Sequence, residues 1–107
     1  MATLITINTF IERLNRLEKK DSIPSTTGNA QYSSFKIGND IISFKRDDSK
    51  NPDKIWKIEI KRLYEVYQKC KSIKTNTPLI KYLLGGRQSP TCAILTDIGL
   101  YKNGARI

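Results

Sequence analysis

Glu59-Ile60-Lys61 sets a carboxylate and an ammonium two residues apart, and on a strand, where side chains alternate, that spacing puts both on one face. Metal-dependent nucleases use such a pair, with a further carboxylate, to hold Mg²⁺ and stabilise the charge of the transition state. Asp40 is the candidate further group, because it opens the strand preceding the one that ends at Glu59. Asp53, in Pro52-Asp53, lies too close to Glu59 in sequence to serve. The same tripeptide is what any amphipathic strand with a charged outer face shows. The chain also has no histidine to act as a general base. Cleavage is therefore a secondary reading, and the enzyme question leans to no.

The second constellation is basic. Nineteen Lys and Arg oppose ten Asp and Glu over 107 residues, a net charge of +9. A field of that sign gathers polyanions, so nucleic acid, DNA foremost, is the first partner to expect and an anionic membrane surface the second, with an acidic protein surface as a further alternative. The bland alternative is a charge that only keeps the protein soluble. The candidate phosphate contacts are Lys57, Lys61 and Arg62 near the end of a strand, Arg87, Gln88 and Ser89 before the last helix, and Lys102 and Arg106 in a terminal hairpin. Backbone amides at Thr91 and Cys92 would join Arg87 on a phosphate at a helix N-terminus. Tyr64, Tyr67, Tyr82 and Tyr101, with Phe35, Phe44 and Trp56, offer stacking platforms beside Lys36, Lys45 and Lys57. Most of these rings fall in the apolar phase of their elements, which makes them core first.

The elements that must position these groups are read from periodicity. Thr9 with Glu12 makes a capping box, and Phe10, Ile11, Leu14 and Leu17 follow at helical spacing, which predicts a helix to about Lys20. Its other face carries Arg13, Arg16, Lys19 and Lys20, a solvated stripe before it is a binding one. Asp21 to Gln31 has no period and reads as loop. From Tyr32 the period is two: Phe35 and Ile37, Ile42 and Phe44, then Trp56, Ile58 and Ile60 predict a three-stranded antiparallel meander, with Gly38-Asn39 turning the first hairpin. The meander's opposite face, with Lys36, Ser43, Lys45, Lys57, Glu59 and Lys61, is mostly positive.

Helical spacing returns with Leu63, Val66, Tyr67, Cys70 and Ile73. Thr77-Pro78 starts a short helix that ends at Gly85-Gly86, and Ser89-Pro90 starts another that Gly99 stops. Asn103-Gly104 then turns a terminal hairpin. The fold class expected is α+β: an N-terminal helix, the meander, then three helices with a C-terminal hairpin. Helix, helix, turn, helix, hairpin is also the order of a winged helix, the alternative to a plain α+β sandwich. The last helix lacks the Arg, Lys, Asn or Gln that base readout requires, so phosphate contacts follow more easily than an operator reader. The core expected is Phe10, Leu14, Leu17, Phe35, Ile37, Ile42, Phe44, Trp56, Ile58, Ile60, Leu63, Val66, Leu83, Ile94 and Leu95.

Length fits one domain, 1–107, with one modest core, and Ile107 ends inside a returning strand, as a piece of a longer chain would. Cys70 and Cys92 read as reduced thiols in a cytoplasmic protein. Without Cys-x-x-Cys spacing or histidine, a structural zinc site is excluded, and no cofactor motif is present. No signal peptide or membrane-spanning run is seen, and the first helix lacks the apolar bulk and tryptophan of a membrane-surface helix. The expected function is non-catalytic nucleic-acid binding, with a basic interaction module for a protein partner as the alternative and the Glu59/Lys61 nuclease behind it.

Overall fold

The computed structural model describes residues 4–25, 31–47, 54–73 and 88–107. Helix α1 spans Ile7–Asn15, and its N-cap is Thr6, whose hydroxyl accepts from the Thr9 amide at 3.3 Å. The expected box at Thr9 and Glu12 thus sits one turn too late. Starting at Thr6 satisfies an orphan amide with the same residue chemistry and places Phe10 and Leu14 in the core. A 3-10 turn over Arg16–Lys19 then brings Leu17 onto the same buried face.

The sheet has four antiparallel strands in the order β1-β2-β3-β4, not three. Strand β1 is Ser22–Pro24, within the segment expected to be loop, and it pairs with β2, Gln31–Ile37, by setting Ile23 opposite Tyr32. It is three residues long with one buried side chain, too short for a period. Pro24 sits on an outermost strand, the place where a missing backbone donor is tolerated. Strands β3, Ile41–Arg46, and β4, Trp56–Glu59, complete the sheet. The β2–β3 turn closes with the Gly38 amide on the Ile41 carbonyl at 2.9 Å.

One irregularity sets the faces of this sheet. Ser33 pairs with Lys45, but Lys36 pairs with Ser43, so β2 carries one extra residue between them, and Ser34 there has φ 56°. Tyr32 and Phe35 are three apart and would point to opposite faces of a regular strand. The bulge lets both enter the core, where they are 1% and 4% exposed. It also keeps Ser33 and Lys36 together on the other side.

Helix α2, Ile60–Lys69, follows β4 directly. Residues after it return to the C-terminus: Ser72 bridges Ala105, and the Ile73 and Arg106 amides donate to Gly104 and Lys71 carbonyls. Helix α3 spans Gln88–Asp97. It ends in a Schellman motif, with Gly99 at φ 84°, the Gly99 amide on the Thr96 carbonyl and the Leu100 amide on the Leu95 carbonyl. The expected hairpin forms from β5, Tyr101–Lys102, and β6, Ala105–Arg106, turning on Asn103 and Gly104, both at positive φ. The helix expected from Thr77, with Leu83, lies outside the described residues.

The chain is α+β, with helices packed on one face of the sheet. Ile23, Tyr32, Phe35, Ile42, Phe44 and Ile58 from that face meet Phe10, Leu14, Leu63, Val66, Tyr67, Ile94 and Leu95. Rings meet edge-on or stacked across it, as in Tyr32–Phe44 and Phe35–Phe44. Ile37 and Trp56, expected inside, are only half-buried, and the Lys54 ammonium lies 4.2 Å from the Trp56 ring centre.

Candidate nucleic-acid interface

The sheet's second face is built from the alternate positions of the same strands. Register places Lys36, Ser43 and Lys57 side by side on β2, β3 and β4, which sets the two lysines about 10 Å apart with a hydroxyl between them. Lys45 stands two residues along β3, about 7 Å from Ser43, and opposite Ser33; Ser22 of β1 continues that row. These residues are exposed or half-buried. Among the described residues Lys36, Lys45 and Lys57 have no carboxylate partner, whereas Glu59 on the same face is paired with Arg62 at 3.0 Å. At the β2–β3 turn the face deepens into an open depression bordered by Lys36, Ser43, Lys57 and the Gly38-Asn39-Asp40 turn, with Glu18 at its rim.

A second group of cations is spent on the helices themselves. The Arg106 guanidinium donates to the Tyr67 and Gln68 carbonyls at 2.8 and 3.1 Å and lies over the Tyr67 ring. It therefore caps the C-terminus of α2, where exposed carbonyls and the helix dipole favour positive charge. Arg13 does the same for α3 by donating to the Ile98 carbonyl at 3.1 Å, and Lys20 reaches Asp97 at 2.7 Å. The stripe on α1 is thus neither a plain solvated face nor a free binding face. Two of its members tie α1 to the end of α3.

The candidate residues are dispersed. Lys57 is on the open sheet face. Lys61 and Arg62 are exposed in the first turn of α2, with Arg62 engaged by Glu59. Lys102 is exposed on β5, in a separate two-stranded sheet. Arg87 lies outside the described residues, as does the side chain of Gln88. The Ser89 hydroxyl is 2.8 Å from the Tyr32 hydroxyl, so it anchors the start of α3 to β2. Thr91 is fully buried inside α3, which closes the anion site expected at its amide. The other described side chains of α3 are buried or half-buried, so this helix belongs to the core.

Glu59 and Lys61 do not share a strand face. Glu59 ends β4 and Lys61 belongs to α2, so the alternation that motivated the pair stops between them. Both still border one small depression with Asp40 and Ile41, and the Asp40 carbonyl accepts from the Ile60 amide at 2.8 Å. No group of three or more metal-ligating side chains occurs among the described residues.

Both cysteines are free thiols. Burial pushes both thiols up, against the lowering effect of Arg106 on Cys70, and a raised thiol is a poor nucleophile. Burial also pushes the Tyr101 phenol up, and its hydroxyl donates to the Cys70 carbonyl. Among the described residues no helix is long and apolar enough to cross a membrane.

Lys36 and Lys45 share the face of Lys57, although neither is among the candidate phosphate contacts. Their signal was present in the period-two pattern, which put them on the polar side of the meander. No family model, curated protein or solved structure matches the chain.

Proposed function

We propose that this protein binds nucleic acid without catalysis, through phosphate contacts from the open face of the sheet. The observation that carries this reading is the row Lys36, Ser43, Lys57, with Lys45 beside it, on a face where these three lysines have no carboxylate partner among the described residues. By contrast, Arg13, Lys20, Arg62, Lys69 and Arg106 are held by carbonyls or carboxylates. Lysines kept in one plane without partners carry counterions that a polyanion releases on binding. Serine hydroxyls between them add neutral donors to phosphate oxygens. Lys61, exposed in the first turn of α2, extends the charge beyond the end of β4. A winged-helix mode is not favoured, because the buried surface of α3 leaves no groove-reading face.

The test is fluorescence anisotropy with labelled DNA and RNA across a salt series. Three to four phosphate contacts give a log–log slope of about −3 to −4 on duplex. Binding with that slope supports the reading. Absence of binding at low salt overturns it and turns the same face toward an acidic protein. Probes recovered intact after incubation with Mg²⁺ are expected; shortened probes would return Asp40, Glu59 and Lys61 to a nuclease role.

A further inference from the structure

Resting on that reading, we infer that the open face takes double-stranded nucleic acid in preference to a single strand, and without regard to sequence. Single-strand binders combine a basic surface with rings on which bases stack.

Here the described rings of the sheet point the other way. Tyr32, Phe35 and Phe44 are at most 4% exposed, on the side covered by helices. Trp56 pairs with Phe44 on that same side and lies under Lys54. Tyr64 is tied by its hydroxyl to the Ile5 carbonyl at 2.7 Å, and Tyr67 and Tyr101 are buried. The bulge at Ser34 is what turns both Tyr32 and Phe35 inward. What remains outside among the described residues is serine, lysine, the Arg62-paired Glu59 and exposed aliphatic side chains, Ile41 and, just before β4, Ile55, with no ring.

With no described ring to stack a base on, such a face holds a polyanion by charge and hydroxyl donors, so its ligand is decided by phosphate density. A duplex presents a charge about every 1.7 Å of axis, twice the density of one strand, and each contact releases more counterion, with a slope of about −0.9 against −0.7. Base edges are beyond this face for a related reason. Among the described residues neither a helix nor a ribbon projects from it, and lysine and serine on a sheet surface reach the backbone first.

The experiment compares a labelled 20-base-pair DNA duplex, the equivalent RNA duplex, and each separated strand, at one salt concentration and with the whole chain. The expected result is a duplex affinity at least ten-fold above that of its strands, with two unrelated duplex sequences bound equally. Strands bound as tightly as their duplexes, or a duplex bound in a sequence-dependent way, overturn this inference while leaving the phosphate-binding reading intact. Absence of binding to every probe defeats the parent reading instead. Ser43→Tyr supplies the missing ring between the two lysines. It should raise single-strand affinity relative to duplex affinity at least about five-fold, and an unaltered ratio in a folded variant overturns the inference.

Discussion

Lys36, Lys45 and Lys57 on the sheet and Arg13, Lys20 and Arg106 at the helix ends carry the same charge in opposite situations. The first three stand on a regular surface with no anionic partner among the described residues. The other three reach a carbonyl or a carboxylate on an element far away in sequence: Arg13 to Ile98, Lys20 to Asp97, and Arg106 to Tyr67 and Gln68. A net charge of +9 is therefore not one property. Part of it closes helix termini, and part remains available to a polyanion. Guanidinium suits the first task because its fixed fork satisfies two carbonyls at once, and ammonium suits the second as a mobile point charge.

That division is broken most severely by reversing the sheet lysines. Lys36→Glu, Lys45→Glu and Lys57→Glu together should lower nucleic-acid affinity at least about 100-fold by anisotropy at low salt. Circular dichroism should show an unchanged fold, since none of the three makes an ion pair to lose. Arg106→Met is the reverse case. Two charge-assisted bonds to the α2 carbonyls disappear, at a cost of about 2 kcal/mol, read as a midpoint about 10 °C lower in a thermal melt. The folded fraction should bind as the parent does.

Ser34→Gly is a smaller and stabilising change. A serine at φ 56° is in the left-handed region that glycine occupies freely, so the variant should gain about 0.5–1 kcal/mol by urea denaturation. A loss would mean that the bulge depends on the serine side chain. Weakest is the alkaline response. Cys70, Cys92 and Tyr101 all have raised pKa values in the folded chain, so the native state keeps protons that the unfolded chain releases. Stability from these groups is complete below the unfolded thiol range, about pH 8.5, and declines as pH rises beyond it. Urea midpoints between pH 8 and pH 10 should fall, and less steeply in Cys92→Ala.

Much of the scaffold was legible because its signals are local. Phe35 to Phe44 turning at Gly38-Asn39, the switch to helical spacing after Ile60, and Asn103-Gly104 each announce themselves within a few residues. Strand β1 was hidden because one buried residue, Ile23, defines no period and Pro24 reads as a breaker. Only the partner strand makes it a strand. The bulge was hidden for a related reason: Tyr32 and Phe35 break the two-residue period, and nothing nearby says that one residue is skipped.

The site divided along the same line. The face that holds Lys36, Lys45 and Lys57 follows from alternation alone, so its charge could be read directly. The employment of Arg106 and Arg13 could not, because their carbonyl partners lie 38 to 85 residues away. Glu59 and Lys61 show the converse failure. Their spacing means one face only on a strand, and the strand ends at the first of them.

The most direct test of the sheet face as the nucleic-acid surface is chemical-shift mapping of the labelled protein during titration with an unlabelled DNA duplex. The expected result is movement at Ser33, Lys36, Ser43, Lys45 and Lys57, with Arg13, Lys20 and Arg106 still. Shifts confined to Lys102 and the end of α3, with the sheet residues unmoved, would contradict it.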